Sequence, residues 1–251
     1  MKINVIIPTY KPDEKFERNL RMLRRQTLQP DRILIINTEE SLFHSKEFGK
    51  LPQGEIIHIK KSEFDHGGTR NRAAAMCDGD IIVLLTQDAI PADEYLLENL
   101  TKPFEDPEVC AAYGRQMADW KDNPVEAYTR TFNYPKESRI KSKEDLPVLG
   151  IKTFFCSNVC AAYRKSVYDA MGGFPLHTIF NEDMIFASRL IEAGKKIAYT
   201  ADAKVWHWHN YGAVEQCKRN FDLAVSQVDY GGLFVAVKSE SEGIRLVKTT
   251  L

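Results

Sequence analysis

Short apolar runs alternate with amphipathic segments over the first third of the chain. Four of these runs are rich in Ile, Leu and Val and predict strands, and the last of them looks like a strand buried on both faces of a sheet. They are residues 3–7, 33–36, 55–59 and 80–85. Between the first two runs, Phe16, Leu20 and Leu23 recur at helical spacing with arginines on the opposite face, and an Ala-rich helix is predicted over 69–77. This alternation of strand and helix predicts a parallel sheet with right-handed crossovers.

The pattern changes after about Arg115. Residues 119–149 are polar and rich in proline, with only a weak helical pattern over 124–132, which indicates a mobile insertion. Beyond it we predict a strand over 154–163, helices over 165–171, 182–193 and 213–230, and short strands over 196–199 and 204–206. Asn181 is the predicted N-cap of the helix that begins at Glu182. The residues from Gly232 onward have no decisive pattern.

The composition limits the choice of function. With 251 residues and 43% apolar content, the chain can build one large α/β domain or two lobes that share a cleft. A net charge of −1 gives no overall basic field, so we expect no nucleic-acid partner. The five cysteines are scattered and lie mostly in apolar stretches, as reduced core thiols of a cytosolic protein do. No apolar run approaches the ~20 residues of a membrane span, so we expect a cytoplasmic protein, at most peripheral to a membrane.

Three short segments carry candidate chemistry: Thr86-Gln87-Asp88, Asn181-Glu182-Asp183 and His207-Trp208-His209. Asp88 follows the strand predicted over 80–85, at the carboxyl end where open α/β sheets bind their ligands. A carboxylate there is a good ligand for Mg²⁺ or Mn²⁺ on a diphosphate, although it is equally well placed to cap a following helix. With an acidic pair that can supply a catalytic base, the chain is interpreted as an enzyme that handles a nucleotide.

The histidines and the acidic pair each have a structural alternative. His207 and His209 alternate in an extended segment and therefore point the same way, and imidazole binds Mn²⁺ well. One of them could instead pack among the neighbouring Trp and Tyr rings. Glu182 and Asp183 lie in the first turn of a predicted helix, where acidic residues interact favourably with the helix dipole whatever else they do. The residues alone leave these alternatives open.

Several short motifs, taken in order, resemble a known family. They are Pro8-Thr9-Tyr10, Arg70-Asn71, Thr86-Gln87-Asp88-Ala89 with Pro91, Gly172-Gly173-Phe174, Glu182-Asp183 and the His-x-His segment. Over residues 1 to about 230 they look like the landmarks of the family-2 inverting glycosyltransferases of GT-A fold. The strings that look most like bacterial rhamnosyltransferases are FDHGGTRN (Phe64 to Asn71), TQDA (Thr86 to Ala89), YGRQ (Tyr113 to Gln116), FNYP (Phe132 to Pro135) and SNVCAAYR (Ser157 to Arg164).

The resemblance implies a fold and a division of the chain. The fold would be α/β of GT-A type, a Rossmann-like, mostly parallel sheet with an acceptor-binding part and a C-terminal helix. Residues 1–115 would bind the nucleotide-sugar, and residues 116–212, with the polar insertion facing the acceptor, would carry the catalytic residues. Residues 213–251 would be a C-terminal helical segment of the same continuous domain.

The acidic pair would supply the base in this family. Asp183 would remove the proton from the acceptor hydroxyl as it attacks the anomeric carbon. Glu182 would bind or orient the acceptor, and the reverse assignment of the two residues stays open. Direct displacement would invert the anomeric centre without a covalent intermediate on the enzyme.

The metal would be Mg²⁺ or Mn²⁺ held by Asp88. His207 and His209 are candidate additional ligands, and His207 is favoured because similar enzymes place a histidine here beside the diphosphate. The family usually has an acidic residue where this chain has Thr86. A hydroxyl is a poor substitute for a carboxylate, so we expect the metal to bind well only together with the nucleotide.

Residues at the ends of the first strands would form the nucleotide pocket. The candidates are Pro8, Thr9, Tyr10, Asn37, Glu39, Asp65, Arg70, Gln87 and Asp88. Asn37 stands where family members often have an aspartate, which shifts the expected ribose contact toward Glu39. Arg70 has a plain alternative as a surface charge on a helix.

The resemblance points to rhamnosyl transfer from dTDP-β-L-rhamnose to a glycan or lipid-linked acceptor at the cytoplasmic face of the membrane. Two alternatives remain. One is a family-2 transferase that uses a UDP-hexose. The other is a catalytically silent sugar-nucleotide or glycan-binding module, for which Thr86 in the usual acidic position is the argument.

Overall fold

Nine strands form one sheet in the computed structural model, which describes residues 1–121, 124–209 and 211–231. They are β1 (Ile3–Tyr10), β2 (Arg32–Thr38), β3 (Gly54–Ile59), β4 (Ile81–Leu85), β5 (Ile90–Pro91), β6 (Val109–Met117), β7 (Arg139–Lys141), β8 (Cys160–Arg164) and β9 (Lys196–Trp206). Their order is β3-β2-β1-β4-β8-β6-β9-β5, and β7 pairs with β9. β1 to β4 are parallel, as are β6 and β9, whereas β8, β5 and β7 are antiparallel to their neighbours. The predicted mostly parallel sheet is confirmed.

Helices cover both faces of this sheet. They are α1 (Glu14–Leu23), α2 (His66–Ala75), α3 (Leu96–Thr101), α4 (Pro124–Asn133), α5 (Leu146–Leu149), α6 (Lys165–Ala170), α7 (Glu182–Glu192) and α8 (Ala213–Asp229). Alternate residues of β1 enter two separate cores, because side chains along a strand point to opposite faces. Val5 packs in the core that contains Phe16 of α1, and Ile6 packs in the core that contains Phe186 of α7. Full burial of each such side chain stabilises the fold by roughly 1.5–3 kcal/mol.

The predicted strand over 154–163 is largely wrong. The structure has a 3₁₀ turn at Gly150–Phe154, and only Cys160–Arg164 forms a strand. The buried Lys141 ammonium donates hydrogen bonds to the carbonyls of Lys152 and Phe155, at 3.0 and 2.5 Å, so these carbonyls are held by a side chain. The apolar residues of this segment therefore line the interior without joining the sheet.

Two further strand predictions need correction. The segments 196–199 and 204–206 belong to one strand, β9, whose pairing with β6 shifts register between Gly114 and Arg115. The residues between the two predicted strands lie at this irregularity, because Gly114 pairs with Thr200 and Arg115 pairs with Lys204. No strand was predicted over β6, because its apolar run over residues 109–113 is short and contains two alanines, and the polar Arg115 and Gln116 follow it.

Smaller differences occur at helix ends and among the cysteines. Asn181 precedes α7 as predicted, but its backbone is left-handed, with φ of 65°, and its side chain makes no capping hydrogen bond. The Ala-rich helix begins at His66, three residues before the predicted Thr69. Cys217 is exposed, whereas the other four cysteines are buried as predicted. The interpretation of residues 232–251 as helical lies outside the described residues.

The polar insertion contributes elements of its own. It contains α4 and β7, and β7 adds to the sheet beside β9. Nowhere in the described part of the chain does a helix have the length and apolar character needed to cross a bilayer.

Candidate active site

A cleft of about 400 Å³ brings together the three segments singled out in the sequence. It is lined by Asp88 after β4, by Glu182 and Asp183 at the start of α7, and by His207 and His209 after β9. These residues are far apart in sequence. They meet because β4, β8, β6 and β9 are neighbours in the sheet.

Asp88, His207 and His209 form a cluster that can hold a metal ion. One ligand atom of each residue lies within 4.8 Å of the others. Asp88 Oδ2 is 3.5 Å from His207 Nε2 and 3.6 Å from His209 Nδ1. The prediction that the two histidines point the same way is confirmed by these distances. One carboxylate and two imidazoles suit a divalent transition metal such as Mn²⁺.

His207 is set up as a neutral imidazole. It is 3% exposed, and burial, followed by the nearby Arg130 guanidinium, holds its pKa well below the usual range. Its Nδ1 lies 3.0 Å from Gln116 Oε1 and 3.1 Å from the Arg130 guanidinium. The Gln116 oxygen accepts from the tautomer that carries its proton on Nδ1, which leaves the Nε2 lone pair facing Asp88, the usual outer-sphere support of a histidine ligand. The Arg130 guanidinium can donate only to an unprotonated Nδ1, so this contact favours the other tautomer.

His209 combines the two roles that the sequence left open. Its ring stacks on Tyr211, with centroids 4.7 Å apart and planes at 18°, while Nδ1 still faces Asp88. Burial lowers its pKa, and the Asp88 carboxylate partly offsets this effect. The backbone N–H of His209 donates to Glu126 at 2.9 Å, which fixes the segment against α4. Aromatic packing and metal binding are therefore compatible in this residue.

The acidic pair is clamped by one asparagine. The Asn158 backbone N–H donates to Asp183 Oδ2 at 2.9 Å, and its side-chain amide donates to Glu182 Oε1 at 3.0 Å. Asn158 Oδ1 in turn accepts a hydrogen bond from the buried Tyr163 hydroxyl at 2.8 Å. The N–H of Met184 donates to the other oxygen of Asp183 at 2.8 Å. The two carboxyl groups are therefore held in fixed orientations.

The environments of the two carboxyl groups push their pKa values apart. Burial, and then the charge of Glu182, raises the pKa of Asp183 to about 7. Burial also acts on Glu182, but the Arg70 guanidinium 3.5 Å away and the Asn158 amide outweigh it and hold the pKa of Glu182 below its usual range. Glu182 is therefore the more acidic of the two groups, whereas Asp183 is poised to take up a proton near neutral pH.

Arg70 does not lie on the surface. It is 7% exposed, pairs with Glu182, and donates to the His66 carbonyl at 2.8 Å. Its helix α2 begins at the Asp65 cap and packs tightly at Gly67, where a Cβ would lie 1.8 Å from the Pro175 carbonyl oxygen. Glycine is needed for this close approach. α2 thus delivers Arg70 to the acidic pair, and the surface-charge alternative is wrong.

Except for Asp65, which caps α2, the other predicted nucleotide-binding residues gather at the carboxyl ends of β1, β2 and β4. Pro8, Thr9 and Tyr10 end β1, and the Tyr10 backbone exchanges two hydrogen bonds with the Gln87 amide, at 3.0 and 3.2 Å. Tyr10 is 40% exposed and presents an open ring. Asp88 lines the metal-side cleft, whereas Pro8, Thr9, Tyr10 and Gln87 do not, so this edge is a separate surface next to Asp88.

Asn37 and Glu39 differ in availability. The Asn37 side chain is fully buried and bonded to Thr9, to His58 and to the Glu39 carbonyl, so it has no group directed outward. Glu39 is half-buried, with a left-handed backbone, and one carboxylate oxygen accepts from the Lys61 N–H at 2.6 Å. These contacts leave Glu39 more accessible than Asn37 to any ligand at this edge, and the ribose contact of Glu39 stays a prediction.

Thr86 lines the same cleft as the metal cluster. Its backbone is held by Asn19 and Val159, and its buried hydroxyl has no hydrogen-bond partner among the described residues. An unpartnered buried hydroxyl is costly unless a ligand satisfies it. This position is therefore polar and available, although it is not acidic.

Sequence reasoning gave no role to several cleft residues. Asn158, Gln116 and Tyr134 lie within the strings SNVCAAYR, YGRQ and FNYP, which carried the family resemblance. Gln116 donates to both Tyr134 and Ser157 while its oxygen faces His207. The strings were a usable signal, but the role of each amide depends on contacts that only the fold creates.

Comparison with known proteins gives a consistent result. Residues 4–172 match the family described as Glycosyl transferase family 2. The O-antigen chain rhamnosyltransferase RfbN of Salmonella typhimurium is 42% identical over 259 residues, which cover 100% of this chain and 81% of the relative. The O-antigen chain rhamnosyltransferase WbaN of Salmonella anatum is 42% identical over 256 residues, covering 98% and 79%.

Solved structures share the fold at low identity. The mannosyltransferase PcManGT from Pyrobaculum calidifontis, in complex with GDP-Man and Mn²⁺, has a TM-score of 0.61 and 18% identity over 82% of this chain and 56% of that chain. TarS 1–349 of S. aureus, in complex with UDP-GlcNAc, has a TM-score of 0.63 and 15% identity over 84% of this chain and 60% of that chain. The chain thus spans less than two thirds of these two proteins. The likeness confirms the GT-A fold expected from the motifs.

Proposed function

Because the chain belongs to glycosyl transferase family 2 and is a glycosyltransferase, we propose that it transfers L-rhamnose from dTDP-β-L-rhamnose to a glycan acceptor. The observation that carries this proposal is the 42% identity to two O-antigen rhamnosyltransferases over nearly the whole chain. Inversion at the anomeric carbon would give an α-L-rhamnoside. The acceptor would be a growing cell-surface polysaccharide, carried on a lipid at the cytoplasmic face of the membrane.

Asp183 is the proposed base. Its pKa of about 7 lets it accept a proton from a sugar hydroxyl near neutral pH, and backbone N–H groups hold both of its oxygens while leaving lone pairs for the acceptor. Glu182 is less suited, because Arg70 and Asn158 occupy its Oε1 and lower its pKa. Glu182 instead raises the basicity of its neighbour and fixes the start of α7.

Asp88, His207 and His209 are the proposed ligands of Mg²⁺ or Mn²⁺. The donor set, with its neutral His207 and supporting Gln116, fits Mn²⁺ better than Mg²⁺, because Mg²⁺ prefers oxygen ligands. When bound, the cation would neutralise the charge that builds on the departing nucleoside diphosphate. The nucleoside itself would lie along the edge formed by Tyr10, Glu39 and their neighbours.

The pH dependence of turnover tests the assignment of the base. Since burial raises the pKa of Asp183, its basic form is present above about pH 7 and is lost as the pH falls through that value. We expect kcat/KM to fall below about pH 7, by about tenfold per pH unit. Glu182→Gln removes the neighbouring negative charge, so the pH below which kcat/KM falls should be lower in this variant. Rate profiles of both proteins, measured at fixed ionic strength, check the shift.

If kcat/KM of Glu182→Gln falls at the same pH as that of the unaltered protein, the two carboxyl groups are not coupled. Glu47→Gln is a suitable control, because Glu47 is also a buried glutamate paired with an arginine, Arg24 at 3.1 Å, but it does not line the cleft. Its profile should match that of the unaltered protein.

The donor can be identified by thermal stabilisation. A ligand that binds only the native state at about 100 times its Kd stabilises it by about 2.7 kcal/mol. With Mn²⁺ present, dTDP-rhamnose should therefore raise Tm more than UDP-glucose or UDP-N-acetylglucosamine at the same concentration. Turnover with the same three donors should follow the same order. Equal shifts in Tm, or a larger shift with a UDP-sugar, would indicate that the donor is a UDP-hexose and not dTDP-rhamnose.

A further inference from the structure

Helix α1 is hydrogen-bonded to both segments that carry the proposed metal ligands. The Lys15 ammonium donates to the Trp208 carbonyl at 2.7 Å. One turn further along the same face of the helix, the Asn19 side-chain amide donates to the carbonyls of Thr86 and Gln87, at 3.1 and 3.4 Å. Trp208 lies between the two histidines of the cluster, and Gln87 immediately precedes its aspartate. A single helix therefore holds the backbone on both sides of the metal cluster.

Lys15 is itself held in place. Its backbone N–H donates to the Asp13 side chain, which caps α1, at 2.9 Å. Its ammonium lies over the Trp208 ring, 4.3 Å from the centroid, in addition to bonding to the carbonyl of that residue. Phe16 and Leu20 of the same helix are fully buried in the core. The ammonium thus reaches the His-x-His segment from a helix that is anchored by its apolar face.

Two other elements fix the backbone of the His-x-His segment. The His207 N–H donates to the Met117 carbonyl, at the end of β6, at 2.9 Å. The His209 N–H donates to Glu126 of α4 at 2.9 Å. α1 supplies a third bond, to the carbonyl of Trp208. Because the segment is held from three elements, loss of one of these bonds should let the two imidazoles shift relative to the aspartate.

The charge of Lys15 and its hydrogen bond have opposite effects on a metal ion. Like charges repel, so the ammonium by itself opposes the binding of Mn²⁺ in the cluster. The hydrogen bond favours binding, because supporting contacts keep metal ligands in a productive geometry. Lys15 does not line the cleft, so its ammonium lies outside the space in which a diphosphate would meet the metal. Its contribution is therefore expected through the segment that it holds and not through contact with the donor.

We propose that Lys15, together with Asn19, sets the separation between the two histidines and the aspartate of the metal cluster, so that Lys15 is a positioning residue for the metal. The inference rests on the proposed function, because it assumes that these three residues bind the metal. The same helix follows the end of β1, where the Tyr10 backbone is bonded to the Gln87 amide. The metal cluster and the nucleotide edge thus share one support.

Binding of Mn²⁺ to the full chain tests this role without turnover. Lys15→Met keeps an unbranched side chain of similar length but removes the ammonium. The Kd for Mn²⁺, measured by electron paramagnetic resonance with and without dTDP, should rise by about tenfold, the lower end of the effect of losing a supporting contact. Lys15→Arg retains a charged donor and should recover most of the affinity. In the metal-free protein, side-chain ¹⁵N NMR should show altered imidazole shifts of His207 and His209 in Lys15→Met.

Lys152→Met is the matched control. Lys152 is half-buried, as Lys15 is, and its ammonium also lies 4.3 Å from a ring centroid, that of Phe132, but it does not line the cleft. Its Mn²⁺ binding and histidine shifts should match those of the unaltered protein. Tm should be similar in the two methionine variants, because each loses one contact between a half-buried ammonium and a ring. Should Lys15→Met fail to fold, Lys15→Gln carries the same test, because it also lacks the ammonium.

The other outcomes overturn the inference. Tighter Mn²⁺ binding by Lys15→Met would show that Lys15 acts through its charge, and unchanged binding would show that it plays no part. An equal loss of affinity in Lys152→Met would show a general effect of lost packing. These three results leave the metal cluster in place, whereas absence of Mn²⁺ binding by the unaltered protein would remove the cluster and the inference together. An error in the sugar of the donor would affect neither.

Discussion

Replacing Asp183 by asparagine should reduce turnover by about 10²–10⁴-fold, the contribution of a positioned general base. Asparagine has nearly the same size but cannot accept the acceptor's proton. The binding of dTDP should persist, because Asp183 lies at the start of α7 and not at the nucleotide edge. Turnover at saturating donor, calorimetric titration with dTDP and Tm should be measured on the same preparation.

The structure also predicts how the folded state responds. Asparagine can accept from only one of the two backbone N–H groups, of Asn158 and Met184, that now bond to Asp183. The substitution also removes a carboxyl group whose pKa is raised in the folded protein. Such a group lowers the free energy of unfolding as the pH rises from the pKa that it has in the unfolded chain toward about 7. These effects oppose each other, so Tm should change little at neutral pH. A large fall in Tm would show that lost turnover reflects damage to the fold.

Glu182→Gln is the matched comparison. Glutamine keeps the hydrogen bond from the Asn158 amide but loses the charge that pairs with Arg70. Its turnover should fall less than that of Asp183→Asn. An active Asp183→Asn protein would end the assignment of the base, and an inactive Glu182→Gln protein beside it would transfer the role to Glu182.

The sequence predicted the first part of the fold, from β1 to β4, well. β1, β2 and β4 are buried on both faces, so each is a nearly continuous apolar run that periodicity alone can locate. The second half was harder. The strand β6 contains Gly114, Arg115 and Gln116, and it becomes a strand through its neighbours β8 and β9. Such pairing is a property of the tertiary structure and leaves little trace in local pattern.

The residues of the candidate site also divide into those that the local sequence reveals and those that depend on tertiary contacts. Asp88, His207 and the acidic pair were identified because their chemistry is visible in the residue type and because their motifs resemble a family. Asn158 was not identified, since an amide has no chemistry of its own until it meets Glu182 and Asp183. Lys141 was read as part of a polar insertion, yet it is buried and organises the segment that carries Phe155. Positioning residues of this kind are defined by contacts across the fold.

Replacing Asp88 by alanine should abolish the stimulation of turnover by Mn²⁺ or Mg²⁺. Removal of a cation that supplies several kcal/mol at the leaving diphosphate corresponds to a loss of about 10²–10³-fold. Asp88 is half-buried, and its described contacts are with His207 and His209, so the core should not depend on it. Turnover across a metal titration and Mn²⁺ binding by electron paramagnetic resonance, each with and without dTDP, should be compared.

Asp93→Ala is the matched control, because Asp93 follows Asp88 closely in the chain and pairs with Lys204 at 3.4 Å, away from the cleft. It should respond to metal as the unaltered protein does.

Because Thr86 adds no second carboxylate, Mn²⁺ should bind the unaltered protein much more tightly with dTDP present than without it. Thr86→Asp should narrow that difference by strengthening the binding of Mn²⁺ to the nucleotide-free protein. Full turnover of the unaltered protein in excess EDTA, or undiminished Mn²⁺ binding by Asp88→Ala, would exclude a metal at this cluster and leave His207 and His209 as direct contacts to the diphosphate.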